Sequence, residues 1–255
     1  MAPQYIEPML AMRWPSAVVD AAGHAVASRG PSVCAVCRAW GRGRICASCL
    51  DRFAAPVPRC RRCALPLVAT APTCGTCLTA PPPFDAALAA VDYRAPWDGL
   101  VTAFKFHGAL DLAAVLADAI VGAERRRGLQ RPSLLLPVPL AAARWRERGY
   151  NQAWELARRV ARRLGVRAEP ELLLRLRETA HQLALPLADR AGNVRAAFAV
   201  EPRRRGELRG RHVAIVDDVM TTGSTAAEIA AVVRQAGAAT VEIWVLARTP
   251  RPGDA

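Results

Sequence analysis

The chain has 255 residues, of which 52% are hydrophobic, and a formal net charge of +13 at pH 7. This length suits one α/β domain of catalytic size with a small appendage, and the hydrophobic fraction excludes wholesale disorder. No apolar stretch is long enough to cross a bilayer, and the N-terminus lacks the pattern of a secretory signal, so we expect a cytoplasmic protein without a membrane span.

Residues 1–32 have mixed composition without sustained periodicity, and we interpret them as an N-terminal extension. Residues 33–80 contain every cysteine of the chain, in four Cys-x-x-Cys pairs. These are Cys34 and Cys37, Cys46 and Cys49, Cys60 and Cys63, and Cys74 and Cys77. A two-residue spacer lets both thiolates of a pair bind one tetrahedral ion, so four pairs predict two closed, structural Zn²⁺ sites. Disulfides are disfavoured by a cytoplasmic location, and a redox motif by the number of pairs.

The sequence leaves open which pairs share an ion. Sequential grouping, 34/37 with 46/49 and 60/63 with 74/77, closes the shortest loops and predicts a double zinc ribbon. An interleaved grouping is the alternative. Because the segment is too short to build an apolar core of its own, metal binding is expected to supply its folding energy.

Three prolines at 81–83 indicate a stiff linker, after which strand-like and helix-like stretches alternate. The alternation predicts an α/β domain over residues 84–250, with a mainly parallel twisted sheet and helices on both faces. Strands are predicted at 87–93, 134–136, 213–216 and 241–246. Helices are predicted at 110–127, from Asn151 to Gly165, and from the loop after the third strand to about Gly237. Residues 172–200 are less regular and are interpreted as a flap.

The most informative run is 213–225, in which a buried strand precedes two carboxylates and a loop rich in hydroxyl groups. The carboxylates, Asp217 and Asp218, are expected where the strand emerges. The loop consists of Thr221, Thr222, Gly223, Ser224 and Thr225. The N-terminus of the following helix offers unpaired N–H groups and positive partial charge to a phosphate. Acids one turn away can accept hydrogen bonds from sugar hydroxyls, so the run predicts a sugar-phosphate site.

This run resembles the binding signature of the type I phosphoribosyltransferases. The resemblance implies that Asp217 and Asp218 bind the ribose hydroxyls of phosphoribosyl pyrophosphate (PRPP), and that residues 221–225 bind its 5′-phosphate. The alternative is a strand and a capped helix without a ligand, but capping needs one hydroxyl side chain and this loop has four. A Walker-type nucleotide loop is excluded, because no Gly-Lys-Ser/Thr follows a glycine at the required spacing.

Further stretches narrow the resemblance to one family. They are Pro137-Val138-Pro139-Leu140, then Arg144, Arg146 and Arg148, then Gly149-Tyr150-Asn151-Gln152, and finally Gln182, Arg190, Asn193 and Phe198. Together with the cysteine pairs, they make the chain similar to the ComF family of competence-associated phosphoribosyltransferase-like proteins over about residues 33–248. The family implies a type I phosphoribosyltransferase fold behind a zinc ribbon, Mg²⁺ bound with PRPP, and a role with the DNA-uptake machinery in natural transformation.

The family also implies that the pyrophosphate-side loop, with Pro139, lies at 137–140. Arg144, Arg146 and Arg148 would then neutralise the diphosphate that leaves during transfer. The alternative for these arginines is the start of a surface helix. The sequence identifies no acceptor substrate and no convincing general acid or base; His107 and His181 are weak candidates.

Basic residues provide two more hints. Lys105 is the only lysine among 35 basic residues, and we consider it a candidate for the phosphate site as a compact point charge, with chance survival as the alternative. Fourteen arginines and five glutamates lie between residues 123 and 177. Such a block can bind single-stranded DNA through phosphate contacts, or it can be a solvated surface. The sequence therefore predicts a PRPP-binding protein that assists DNA uptake; the alternative is a metabolic phosphoribosyltransferase without a DNA role.

Overall fold

The computed structural model describes residues 31–67, 71–128, 130–176 and 197–250. Most of the predicted N-terminal extension lies outside these ranges, as do His181, Gln182, Arg190 and Asn193.

Two small modules of similar design begin the described chain. In the first, strands β1 (Pro31–Val33) and β2 (Trp40–Arg42) pair antiparallel, and helix α1 (Ala47–Phe53) follows. In the second, a single antiparallel bridge joins Arg59 to Pro66, and helix α2 (Gly75–Thr79) follows. Each module places one Cys-x-x-Cys pair in a turn and the other at the start of its helix. We call them the first and second ribbon.

The remaining elements form the predicted α/β domain. Its strands are β3 (Ala86–Asp92), β4 (Leu134–Pro137), β5 (Arg167–Ala168), β6 (Leu173–Arg175), β7 (Phe198–Val200), β8 (His212–Met220) and β9 (Thr240–Arg248). Five of them make a parallel sheet in the order β3-β9-β8-β4-β5. The antiparallel pair β6–β7 stands apart, within the stretch interpreted as a flap. The parallel sheet confirms the predicted fold class.

Helices cover both faces of the sheet. They are α3 (Trp97–Phe106), α4 (Ala113–Arg127), α5 (Ala142–Arg148), α6 (Gln152–Leu164) and α7 (Ser224–Gln235), with short 3₁₀ turns at Leu110–Leu112 and Pro202–Leu208. Because successive strand residues point to opposite faces, Trp244 packs with α3, α4 and α6, whereas its neighbour Ile243 packs with α7. None of the helices in the described ranges has the length and hydropathy that a membrane span requires.

The predicted helix after Asn151 is confirmed, and one strand end is corrected. The side chain of Asn151 caps α6 by accepting from the amides of Ala153 and Trp154, and Gly165 ends the helix with a φ of 69°. The acidic pair was expected beyond its strand, but β8 continues to Met220 and includes both acids. The reason is its neighbour: β9 extends to Arg248, which pairs with Met220 and prolongs the backbone ladder.

The first ribbon shares its core with the α/β domain. Cys34, Ile45 and Cys49 are buried in the same cluster as Leu88 and Trp97. The Trp97 indole Nε1 also donates a 2.7 Å hydrogen bond to the carbonyl of Phe53 at the end of α1. The ribbon therefore obtains from its neighbour the apolar core that its own length does not provide.

Candidate functional site

Most of the predicted ligand-binding residues meet in one cavity of about 370 Å³ at the carboxyl ends of the strands. This is the edge at which open α/β sheets bind ligands. The predicted residues in its wall are Lys105, Pro139, Arg144, Arg148, Asp217, Asp218, Thr221, Thr222, Gly223, Ser224 and Thr225. Arg146 is exposed and is not part of the wall, so the structure does not place it with the others. We call this space the sugar-phosphate cavity, after the ligand that the sequence predicts for it.

The two acids differ in their surroundings. Asp218 is 2% exposed, and its Oδ1 accepts a 2.7 Å hydrogen bond from the amide of Val219. Asp217 is half-buried, and its Oδ1 accepts from the amide of Asp218 at 2.9 Å. Burial raises the pKa of Asp217 to about 8, and the charge of Asp218 adds to this while Lys105 opposes it. Near neutral pH, Asp217 therefore gains or loses a proton easily.

Lys105 supplies the positive charge next to the acids. Its Nζ lies 2.9 Å from Asp218 Oδ2. Burial alone would lower the pKa of Lys105, but the attraction of Asp218 and then of Asp217 outweighs it and raises that pKa above its usual value. The lysine is therefore an ammonium ion that neutralises one of the two carboxylates. Asp217 remains available to a ligand.

The loop before α7, residues 221–225, joins hydroxyl side chains to a helix N-terminus, and we call it the phosphate loop after the ligand that the sequence predicts for it. Gly223 precedes the helix with a φ of 85°, a conformation that would strain any residue with a side chain. The Thr222 and Ser224 hydroxyls lie 2.9 Å apart, and the amide of Ser224 donates to Thr222 Oγ1 at 3.3 Å. Hydroxyl groups and the first N–H groups of a helix of twelve residues thus occur together, which is the arrangement that binds phosphate.

Arg248, which was not predicted from the sequence, holds this loop in place through hydrogen bonds to backbone carbonyls. It is 5% exposed, and its Nη1 donates to the carbonyls of Met220, at 2.9 Å, and Thr221. Its Nε donates to the carbonyl of Cys63 in the second ribbon at 2.9 Å. One buried guanidinium therefore connects the phosphate loop to the second ribbon. The feature of the sequence that could have indicated its role is its place as an arginine at the end of an otherwise apolar strand.

The Asn-Gln pair of the family pattern has a structural explanation. Asn151 caps α6 and also donates from Nδ2 to the carbonyl of Val138 at 3.0 Å. This bond holds the segment 137–140 against the start of the helix. Gln152 lies in the cavity wall, is 7% exposed, and its Oε1 has no hydrogen-bond partner in the described residues.

The preceding Arg and Tyr hold α3 in place. The guanidinium of Arg148 lies over the ring of Phe106, 4.6 Å from its centre, and both residues line the cavity. Burial lowers the pKa of Arg148, and the charge of Asp218 opposes this change. The hydroxyl of Tyr150 donates to the carbonyl of Phe104. Phe106 is half-exposed in the wall and was not predicted, because α3 itself was not predicted.

The eight cysteines form two clusters with the sequential grouping. Cys34, Cys37, Cys46 and Cys49 form one, and Cys60, Cys63, Cys74 and Cys77 form the other, with all sulfur atoms of a cluster within 4.8 Å of one another. The distance from Cys37 Sγ to Cys46 Sγ is 3.7 Å, as is that from Cys63 Sγ to Cys74 Sγ. Four sulfurs placed about 2.3 Å from a tetrahedral Zn²⁺ are about 3.8 Å apart, so both clusters fit the ion.

The protonation chemistry of the clusters also fits a metal ion. Burial opposes the ionisation of Cys34, but backbone amides, that of Cys46 first, lower its pKa to about 6. In the same cluster, burial and the neighbouring sulfurs raise the pKa of Cys49 to about 12. Four thiolates this close together need a cation, and Zn²⁺ keeps its cysteine ligands deprotonated. Both tetrads are closed, as in structural sites.

The chain is similar in sequence to a domain family and to named relatives. A family model described as a phosphoribosyl transferase domain matches residues 151–254. The chain is 37% identical over 226 residues to DNA utilization protein YhgH of Escherichia coli O6:H1, covering 86% of this chain and 98% of that protein. It is 34% identical over 208 residues to competence protein F of Haemophilus influenzae, covering 80% of this chain and 90% of that protein.

Among solved structures, glutamine PRPP amidotransferase from B. subtilis is similar with a TM-score of 0.35 and 21% identity, over 53% of this chain and 27% of that one.

Proposed function

Because the chain belongs to the ComF family, with DNA utilization protein YhgH and competence protein F, we propose that it binds PRPP and assists the use of incoming DNA in the cytoplasm. The observation that carries the proposal is the single cavity in which an acid pair, a buried lysine and a hydroxyl-rich helix N-terminus meet. The acid pair suits the ribose hydroxyls of PRPP, the helix N-terminus suits its 5′-phosphate, and the lysine neutralises one of the acids.

In this proposal, different residues bind different parts of PRPP. Asp217 and Asp218 accept hydrogen bonds from the ribose hydroxyls, and residues 221–225 donate to the 5′-phosphate. Arg144 and Arg148 lie in the wall beside segment 137–140 and neutralise the diphosphate. Mg²⁺ would enter with PRPP and would supply further positive charge beside the diphosphate.

Zn²⁺ is proposed for both cysteine clusters, as a structural ion. Support comes from the sulfur spacing and from the amide hydrogen bonds to sulfur: the Cys46 amide donates to Cys34 Sγ at 3.4 Å, and the Cys74 amide to Cys60 Sγ at 3.3 Å. Such bonds stabilise thiolates and orient metal ligands.

Single-stranded DNA is the proposed macromolecular partner. Much of the arginine block is used within the protein: Arg158 and Arg159 pair with Glu155, and Arg163 with Asp118. Arg125 and Arg126, at the end of α4, are exposed and face solvent. The DNA contact is therefore expected to use few phosphates. A metabolic phosphoribosyltransferase without a DNA role is the alternative, and it predicts no binding of DNA.

Calorimetric titration of the zinc-loaded protein with PRPP and Mg²⁺ tests the proposal. We expect Mg²⁺-dependent, micromolar binding that is lost in Asp217→Asn/Asp218→Asn. Asp51→Asn, an exposed acid on α1, is the control that keeps binding. Release of pyrophosphate with and without single-stranded DNA then measures transfer. Unchanged PRPP affinity in the double variant would contradict the site, and absence of binding in the wild type would contradict the proposal.

A further inference from the structure

A second and larger cavity, of about 810 Å³, lies between the second ribbon and the phosphate loop. The ribbon contributes Leu65 and Thr76 to its wall, and α7 contributes Ala227 and Ala231. The volume is within the range of sites for small organic ligands, about 300–1,000 Å³. We call this space the ribbon cavity.

The phosphate loop lies in the walls of both cavities. Residues 220–224 line the ribbon cavity as well as the sugar-phosphate cavity. A ligand in the ribbon cavity therefore touches the loop that is proposed to bind the 5′-phosphate. The two cavities are adjacent. A phosphate bound at the loop can therefore have its attached group in either of them.

The chemistry of the walls favours an uncharged ring. Leu65, Pro82 and Phe84 provide apolar surface. Among polar groups, the Oγ1 of Thr249 is buried and has no hydrogen-bond partner in the described residues. Arg248, the one basic residue among the described residues of the wall, directs its guanidinium at backbone carbonyls, so it does not provide a second anion site. Apolar walls with a few polar groups suit a planar heterocycle.

We propose that the ribbon cavity binds a nucleobase whose attached phosphate lies at the phosphate loop. The role of the loop in this proposal rests on the proposed function. The base can belong to a free nucleotide or to a single strand of DNA, because both present the same ring and the same phosphate. Since the phosphate attached to the base and the 5′-phosphate of PRPP occupy the same loop, the two ligands exclude each other, and we expect saturating PRPP to displace the bound base.

The experiment uses 2-aminopurine, a fluorescent base. One probe is its deoxyribonucleoside monophosphate, and the other is a thymidine 15-mer with a single 2-aminopurine. Ala231→Trp fills the ribbon cavity from α7, and Ala80→Trp fills it from the end of α2 on the opposite wall. Gln235→Trp places the same ring at an exposed position of α7, outside the cavity, as the matched control.

We expect both filling variants to weaken probe binding about tenfold or more, and the control to bind like the wild type. Binding of both probes assigns the site to free nucleotides and strands, and binding of the 15-mer alone assigns it to DNA. Wild-type affinity in both filling variants, or no probe binding in a wild type that binds PRPP, overturns the inference. Absence of PRPP binding in the wild type instead overturns the proposed function.

Discussion

The ammonium group of Lys105 lies 2.9 Å from Asp218 Oδ2, and the two side chains are 21% and 3% exposed. This pair explains how two adjacent acids persist in a buried strand. It also gives the only lysine of the chain a task that depends on a compact charge, because an arginine fork at this position would need more space and more acceptors.

Lys105→Met leaves the buried carboxylate of Asp218 without its counter-ion. We expect a loss of about 3 kcal/mol in the free energy of unfolding, the usual cost of removing one partner of a buried pair. Denaturant unfolding at pH 7.5 measures it. Lys105→Met/Asp218→Asn should recover most of the loss, because the remaining group is neutral. Equal losses in the single and the double variant would mean that the loss does not come from an uncompensated charge on Asp218.

The raised pKa of Asp217 predicts a pH dependence with a defined sign. Its pKa is about 8 in the folded chain, against an ordinary value of 3.8. Between these pH values the folded state binds more protons than the unfolded state, so this group makes the protein less stable as pH rises from about 4 to 8. Asp217→Asn removes the effect, and we expect its advantage in Tm over the wild type to increase across that range in thermal scans.

An ionised Asp217 accepts stronger hydrogen bonds from ribose hydroxyls than the neutral acid does, and Mg²⁺ nearby would favour the ionised form. PRPP binding at pH 7 should therefore release a proton. Calorimetry in buffers of different ionisation enthalpy measures that release directly. A heat that does not depend on the buffer would show that binding releases no proton, and would contradict ionisation of Asp217 on binding.

Arg248→Lys keeps the charge beneath the phosphate loop but loses the fork that reaches the carbonyls of Met220 and Cys63. We expect PRPP affinity to fall about tenfold, the equivalent of one hydrogen bond to a charged group. Arg234→Lys, whose parent side chain makes an exposed pair with Asp85, is the control without effect. Wild-type affinity in Arg248→Lys would show that the loop needs no support from this side.

Cysteine substitutions should remove the proposed zinc ions one at a time. Cys49→Ser and Cys77→Ser are each expected to halve the zinc content measured by mass spectrometry. Their effects on Tm should differ, because Cys49 is part of the large core with Trp97, whereas Cys77 belongs to a small separate cluster. We expect the larger decrease for Cys49→Ser. Loss of both ions from either variant would contradict two independent sites.

Binding to single-stranded DNA should weaken as salt increases, with a slope of about −0.7 in the double-logarithmic plot for each phosphate contacted. Arg125→Gln/Arg126→Gln should reduce the magnitude of that slope by about 1.4, because each of the two arginines is expected to contact one phosphate at about 0.7 per contact. Arg158→Gln, from the internal pair with Glu155, serves as the control. Affinity that is independent of salt would remove the phosphate contacts from the proposal.

The sequence predicted correctly those elements whose ends are marked by neighbouring residues, such as helix-capping residues. Asn151 at one end and Gly165 at the other bracket α6 in the sequence as they do in the structure. The helix Trp97–Phe106 was missed, because it buries Trp97, Leu100 and Phe104 against partners from distant parts of the chain. The end of β8 was placed too early for a similar reason: the strand continues through two acids because β9 supplies its hydrogen bonds.

The candidate site likewise contains residues that could be predicted from neighbouring sequence and residues that could not. The acids and the hydroxyl loop are consecutive in sequence, so their meeting at one cavity could be predicted. Phe106 and Arg248 enter the site through packing and pairing that no local pattern encodes. Arg146 alternates with Arg144 and Arg148 along the chain, but it is exposed on α5 and does not line the cavity with them, so its role at the diphosphate stays a prediction.

The guanidinium of Arg248 takes its partners from three separate parts of the chain: the second ribbon, the end of β8 and its own following residue. A homologue that lost the second ribbon would keep the guanidinium of Arg248 without the carbonyl of Cys63 as an acceptor, and this side of the guanidinium would face water. Evolutionary loss of the ribbon with Arg248 retained would therefore destabilise the protein. Ribbon and phosphate loop should therefore be inherited together, and relatives that have lost the cysteines should also have replaced this arginine.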